Sequence, residues 1–370
     1  MPELFQKIIE SVQRGQNVAL ATVISRKGSL PMSKQARMLV FPDGSILGTV
    51  GGGLLEAQVI REAQQVLLRE TPKIVAVELT SAQIEAEGLT CGGVVEIFIE
   101  PFTSAAQLPV MAAITDIAAR SQAAVMATRL DAPLAQDSGQ PQPASAVNRK
   151  IVIAADGTMA GTFGVPEVDD QIKQFALTRI DQEYQDIFTP ALSAQAAQQL
   201  GLLPDTPFRV FLETVLPAPT AYLFGGGHIA FHLANVLRLI GFEFVVIDDR
   251  PEFANSTRFP DAKECIAGDF AQVFEQLALH PPCAYLIIVT RGHRSDLLVL
   301  EQALRTQAKY IGMIGSKRKI ALLFQHLREK GVAPAALAAV HAPIGLPIGA
   351  DTPEEIAVSI AAELIQVRRG

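Results

Sequence analysis

Ala221-Tyr222-Leu223-Phe224-Gly225-Gly226-Gly227-His228-Ile229-Ala230 leads into a stretch of helical spacing that stops at Gly241, after which comes Phe244-Val245-Val246-Ile247-Asp248-Asp249. An apolar run, a Gly-x-Gly-x-x-Ala turn, a helix, a second apolar run and an acid about 20 residues past the glycines is the order of a dinucleotide-binding unit. Further apolar runs at 263–266, 284–290, 309–314 and 337–341, each followed by helical material, extend it to a Rossmann-like, doubly wound parallel sheet over residues 217–370. Pro217-Ala218-Pro219 makes its stiff boundary. Thr352, Pro353 and Glu355 open its last helix as N-cap, first-position proline and capping-box acid.

In a sheet of this kind every segment directly after a strand lies along one edge, where ligands bind. That edge collects Gly225, Gly226, Gly227 and His228, then Asp248, Asp249 and Arg250, then Arg291 and His293 with Asp296 one turn on, then Ser316, Lys317 and Arg318, and finally His341. Ser316-Lys317-Arg318 reads either as a solvated helix start or as a holder of phosphate. His228 and His232 have the spacing of a helical metal pair, but His232 is expected to point along the helix and pack.

The first half carries a second glycine-rich turn, Gly48-Thr49-Val50-Gly51-Gly52-Gly53-Leu54-Leu55-Glu56, between a hairpin turning at Pro42-Asp43-Gly44 and a helix with apolar residues at Leu55, Val59, Ala63 and Val66. Free N–H groups at a helix start suit an oxyanion; the plainer reading is a change of chain direction. A displacement of 113 residues lays Met38 on Ile151, Asp43-Gly44 on Asp156-Gly157, Gly48-Thr49 on Gly161-Thr162 and Glu100 on Glu213. Residues 1–216 therefore read as a duplicated α+β domain, with copies of about 1–105 and 106–216. The second copy has Gly164-Val165-Pro166 in place of Gly51-Gly52-Gly53 and Pro204-Asp205-Thr206 in place of Cys91-Gly92-Gly93, so any chemistry is expected in the first. Residues 131–147, rich in Pro, Gln, Ser and Ala, read as a surface loop.

Three cysteines, Cys91, Cys265 and Cys283, stand too far apart for a Cys-x-x-Cys knuckle and too few for a disulfide framework. Cys91, between a turn and two glycines, is expected to be a reachable thiolate, whereas Cys265 and Cys283 read as small buried hydrophobes. A net charge of −7 disfavours a nucleic-acid surface. No run of eighteen apolar residues argues for a membrane span, and the charged amphipathic start has no secretory pattern, so the expected location is cytoplasmic.

Over nearly its whole length the chain resembles the XdhC/CoxI family, accessory proteins of molybdenum hydroxylases such as xanthine dehydrogenase. The resemblance is carried by Gly28-Ser29-Leu30-Pro31, Ala36-Arg37-Met38, Gly48 to Gly53 with Glu56, Cys91-Gly92-Gly93, Gly225 to His228, Asp248-Asp249-Arg250-Pro251-Glu252-Phe253, Thr290-Arg291-Gly292-His293, Gly312-Met313-Ile314-Gly315-Ser316 and His341-Ala342-Pro343-Ile344-Gly345. It implies binding of the molybdenum cofactor (molybdopterin), protection of that cofactor while its sulfido ligand is installed, and delivery to an apo-hydroxylase of the xanthine dehydrogenase type. It also implies a cysteine desulfurase partner and a homodimer. Cys91 would then be a sulfur relay or a molybdenum ligand, with Gly51, Gly52, Gly53, Glu56, Gly92, Gly93 and the sheet-edge residues Gly225, Gly226, Gly227, His228, Asp248, Arg250, Arg291, His293, Ser316, Lys317, Arg318 and His341 binding the cofactor. Pro31-Met32 and Gln35-Ala36-Arg37 depart from the usual pattern, in which an arginine follows the proline and a glycine precedes the alanine. The rival from the fold is an NAD(P)-dependent oxidoreductase, against which stands the lack of a separate catalytic constellation.

Overall fold

The structure, a computed structural model, describes residues 2–28, 30, 32–79, 93–131, 149–202 and 206–369. The chain divides into two compact units, Met1–Leu216 and Pro217–Gly370.

The first unit opens with α1 (Pro2–Gln13), β1 (Val18–Gly28), β2 (Arg37–Val40), β3 (Ile46–Thr49), α2 (Gly53–Arg69), β4 (Lys73–Leu79) and β5 (Gly93–Phe102). It continues with α3 (Leu108–Ala119), β6 (Ala124–Arg129), β7 (Lys150–Ala154), β8 (Met159–Ala160), α4 (Pro166–Leu177), β9 (Gln185–Phe188), α5 (Ala194–Gln199) and β10 (Val210–Val215). The two antiparallel sheets, β3-β2-β1-β5-β4 and β8-β7-β6-β10-β9, have the same order strand for strand. Strand alternation puts one side chain in two on each face, so each sheet has two apolar faces to cover. One face takes its own helix: Leu55, Val59, Ala63 and Val66 of α2 pack on the first sheet, and Val168, Ile172 and Ala176 of α4 on the second. The other faces share a core with α1 and α3, joining Phe5, Leu20, Leu39, Phe102, Met111, Met126 and Val152.

Two buried ion pairs cross between these sheets, Arg37 with Glu213 and Lys150 with Glu100, the latter at 2.7 Å. The displacement that aligns the copies carries Arg37 onto Lys150 and Glu100 onto Glu213, so each pair is the image of the other with its partners exchanged. That reciprocity is the signature of an isologous interface, here closed within one chain. Burial lowers the Arg37 guanidinium to about 10, with Glu100 opposing the shift, and also lowers the Lys150 ammonium.

The second unit contains β11 (Thr220–Phe224), α6 (His228–Leu239), β12 (Glu243–Asp248), β13 (Glu264–Ala267), β14 (Ala284–Ile288), α7 (His293–Ala303), β15 (Tyr310–Met313), α8 (Lys317–Glu329), α9 (Pro334–Ala338) and α10 (Pro353–Arg369). Its sheet, β13-β12-β11-β14-β15, is parallel throughout, as the Rossmann reading expected. Helices α6 and α10 cover one face and α7 and α8 the other. The capping box of α10 forms, with Glu355 N–H on Thr352 Oγ1 at 3.3 Å and Thr352 N–H on Glu355 Oε2 at 3.2 Å. One strand does not form as expected: 337–341 holds the end of α9 and a single parallel bridge of His341 to Gly312. Pro334 at the first helical position, followed by Ala335, Ala336, Leu337 and Ala338, favours helix over strand there. Among the described residues no helix is long and apolar enough to cross a membrane.

Candidate site at the carboxyl edge of the parallel sheet

The turn after β11 is built around close backbone approaches. Gly225 has φ +110°, and a Cβ there would lie 2.5 Å from the Val289 carbonyl oxygen; one on Gly226 would lie 2.0 Å from that of Phe253. Side-chain-free residues are therefore required where β11 meets β14 and where the 249–259 segment folds over the turn. Arg258 fastens that segment, its Nε donating to the Gly226 carbonyl at 3.1 Å while its guanidinium lies over the rings of Phe231, Phe253 and Phe259.

Asp248, expected on the edge as a ligand-facing acid, is instead only 2% exposed and satisfied from within. Oδ2 accepts from Gly226 N–H at 2.8 Å and from Arg250 Nη2 at 3.1 Å, and Oδ1 from Arg250 N–H at 3.0 Å and Arg250 Nε at 2.9 Å. Burial raises its carboxyl, but the Arg250 guanidinium and the two N–H groups outweigh burial and leave it below the usual aspartate range. Arg250 is held by the same contact, its guanidinium 3.7 Å above the Phe253 ring, and its pKa is raised by the Asp248 carboxylate. The carboxylate that a dinucleotide ribose would need is thus committed to the protein's own arginine.

The remaining edge residues divide by exposure. His228 begins α6, His293 begins α7 and Ser316 caps α8, accepting from Lys319 N–H at 3.2 Å. Parallel strand order puts all three helix starts on one edge, with Arg291, Lys317 and Arg318 beside them, and His228, Arg291, His293, Ser316, Lys317 and Arg318 are exposed. Below them lies an ion pair that local spacing did not announce. Asp296, 0% exposed, accepts from Thr290 Oγ1 at 2.7 Å and pairs with Lys319, tying the turn after β14 to the turn after β15. Asp296 stood out in the sequence by position; Lys319 did not, because it follows Lys317 and Arg318 and reads as one more basic residue of a solvated face.

His341 lies level with Gly312, next to the last residue of β15, and Nδ1 is 3.1 Å from Glu363 Oε1. His232 packs less than expected, its Nε2 meeting Glu354 at 3.1 Å. Among the described residues no group of three or more His, Cys, Asp or Glu side chains is arranged to hold a metal ion.

In the first unit the glycine turn is not an open donor cluster. Glu56 Oε1 accepts from Val50 N–H at 3.2 Å and Gly52 N–H at 3.1 Å, and from Thr49 Oγ1. The Thr49 hydroxyl, ahead of these N–H groups, holds the Glu56 carboxyl below its usual range. An internal carboxylate fills the place expected for an external anion. The second copy keeps the device rather than losing it: Asp169 accepts from Thr162 Oγ1 and from Phe163 N–H at 3.0 Å. Gly51 has its N–H on Thr49 Oγ1 at 3.1 Å, Gly53 begins α2, and Gly93 begins β5 with the Lys27 carbonyl oxygen 2.2 Å from where its Cβ would be. Cys91, Gly92 and Pro204 lie outside the described residues, as does nearly all of the 131–147 loop. Cys283 is buried and Cys265 half-buried, and burial raises both thiols above the usual cysteine range. A cavity of about 790 Å³ lies beside β9 and α5, lined by Pro190, Leu192, Gln198, Pro207 and Phe208 among others, and none of its described lining residues is titratable.

With this geometry in view, the comparisons with known proteins are decisive for the family. The XdhC Rossmann domain model matches residues 221–364 and the XdhC and CoxI family model matches residues 11–78. The chain belongs to the XdhC and CoxI family. Among its relatives, the protein YqeB of Escherichia coli (strain K12) is 30% identical over 220 residues, 59% of this chain and 40% of YqeB. A Bacillus subtilis (strain 168) protein, named as a probable xanthine dehydrogenase subunit, is 32% identical over 165 residues, 45% of this chain and 48% of that protein. The chain thus spans less than half the length of these two curated relatives. A crystal structure of a xanthine dehydrogenase from Bacillus halodurans superposes with a TM-score of 0.71 at 24% identity, covering 100% of this chain and 95% of that one, which shows a shared fold.

Proposed function

We propose that this XdhC-family chain is an accessory protein of a xanthine dehydrogenase-type molybdenum hydroxylase, binding the molybdenum cofactor, supporting its sulfuration and inserting it into the apo-enzyme. The observation that carries the reading is the contrast along one sheet edge. Asp248 is withdrawn into the protein, while Arg291, His293, Ser316, Lys317 and Arg318 stand exposed at two helix starts. Such a set fits a phosphate-bearing anion held as whole cargo better than a dinucleotide held by its ribose. Lys317 and Arg318 would hold phosphate, and the Lys319–Asp296 pair would keep the two turns in register. When bound, the cofactor would supply a molybdenum–sulfur centre; Cys91 is the candidate to ligate it or relay sulfur. On this reading the protein is a cofactor-binding chaperone rather than an enzyme, cytoplasmic, acting as a homodimer with a cysteine desulfurase and the apo-hydroxylase.

The test is to purify the full chain from a cofactor-replete host and assay oxidised pterin fluorescence beside NAD(P) content, then to titrate molybdopterin, NAD(H) and NADP(H). Molybdopterin should bind more tightly than either dinucleotide, and replacing Lys317 and Arg318 by alanine should weaken it by about tenfold or more. Tight dinucleotide binding with no pterin binding would establish the NAD(P)-dependent oxidoreductase instead. Cys91→Ala should abolish delivery of active cofactor to apo-hydroxylase; full delivery by that variant rules out an essential thiol.

A further inference from the structure

Among the described edge residues, His341 has an imidazole backed by a buried carboxylate. Glu363, on α10 and 8% exposed, holds its Oε1 3.1 Å from His341 Nδ1. Its other oxygen accepts from the Tyr310 hydroxyl at 2.5 Å and from Gly345 N–H at 2.8 Å. Three groups from two segments, β15 and the stretch 341–345, therefore converge on this one carboxylate. The Tyr310 ring also lies against the His341 ring, with centroids 4.6 Å apart and planes 35° apart. Tyr310 is 2% exposed, and burial, ahead of its bond to Glu363, drives its hydroxyl well above the usual tyrosine range, so it stays a donor. With Tyr310 and Gly345 donating to Oε2, Oε1 is the acceptor left to face Nδ1, which places the imidazole proton there. The His341 side chain keeps 36% of its surface exposed, and Nε2 is the ring nitrogen left to meet a ligand.

We propose that His341 is an acid–base group presented to ligands at the carboxyl edge, with Glu363 and Tyr310 as its positioning residues. A ligand X–H gives its proton to Nε2 while X keeps the bonding electron pair. The imidazolium so formed keeps its Nδ1–H on Glu363, whose negative charge compensates the new positive one, and the reverse step returns the proton. No electrons are exchanged and no co-reactant is needed. The arrangement is that of a base oriented by a third group, which fixes tautomer and ring orientation and leaves the Nε2 lone pair for a ligand. The ligand class is a molecule with an ionisable hydroxyl, thiol or ring N–H reaching the end of β15. This inference stands independently of the molybdenum reading, because it rests on the Glu363 contacts alone.

The experiment uses the full chain labelled with nitrogen-15 in histidine, His341→Gln assigning the signal, together with modification by diethyl pyrocarbonate followed residue by residue by peptide mass spectrometry. At a pH where the ring is neutral, His341 should carry its proton on Nδ1. Glu363→Gln should slow carbethoxylation of His341 by about tenfold, with exposed His293 unchanged as internal control. Tyr310→Phe, which spares the carboxylate, should leave the Nδ1–H tautomer in place and slow the reaction less. An Nε2–H tautomer in the wild-type protein, or a His341 rate indifferent to Glu363→Gln, would overturn the proposal and leave Glu363 a structural tie for α10. Should Glu363→Gln fail to fold, the tautomer in the wild type and in Tyr310→Phe decides.

Discussion

Asp248 shows how one side chain can change the meaning of a motif. Its spacing from Gly225 and Gly227 is that of a ribose-binding acid, yet its oxygens are taken by Gly226 N–H and Arg250. Replacing it with alanine leaves a buried N–H without its acceptor, so urea denaturation should show a loss of about 1–3 kcal/mol. Its folded pKa lies below the unfolded value of about 3.9, so the stability it contributes is present above pH ~4 and is lost as pH falls through the folded pKa. Asp248→Asn should accordingly flatten the acid limb of a plot of stability against pH. An unchanged acid limb would mean that the Arg250 contact is weak in solution.

At the scale of the element, the Thr49–Glu56 contact sets how β3 turns into α2, and Thr162–Asp169 does the same for β8 and α4. Each carboxylate lies one turn inside its helix and reaches back to N–H groups of the turn that leads into it. Glu56→Ala should cost about 1 kcal/mol, as loss of a helix cap does. Hydrogen exchange should quicken at Val50 and Gly52 and stay unchanged at Phe163, whose acceptor is Asp169. Asp169→Ala should give the reverse pattern. Equal quickening at both turns would show that the two copies open together rather than separately.

Across the first unit, the reciprocal pairs Arg37–Glu213 and Lys150–Glu100 join two sheets of identical order. Arg37→Met alone strands a buried carboxylate and should cost about 3–5 kcal/mol. Adding Glu213→Met removes both charges, so the double variant should be more stable than the single one. Both are read from chemical denaturation in a double-mutant cycle. Additive losses would show that the pair is not coupled. Because Lys150 and Glu100 lie within electrostatic reach of the same cluster, a second cycle on that pair in the Arg37→Met background should differ from the one in wild type.

The sequence by itself determined what depends on local order: the parallel sheet of the second unit from its strand–glycine–helix–acid series, the cap of α10 from Thr352 and Glu355, and the place of His293 and Ser316 after their strands. It also showed the repeat that lays Met38 on Ile151 and Glu100 on Glu213, because repetition is visible along the chain. Only the tertiary structure decided which of those groups were already occupied. Glu56 answers its own glycine turn, Asp248 answers Arg250, Lys319 answers Asp296 and Glu363, 22 residues from His341 along the chain, answers that imidazole. The helix at 334–338 likewise took the first residues of the strand expected at 337–341, because its alanines carry no strand pattern of their own. The physical reason is common to all of these: a hydrogen-bonding group advertises its chemistry by type and spacing, but its availability depends on a partner that packing alone brings within about 3 Å.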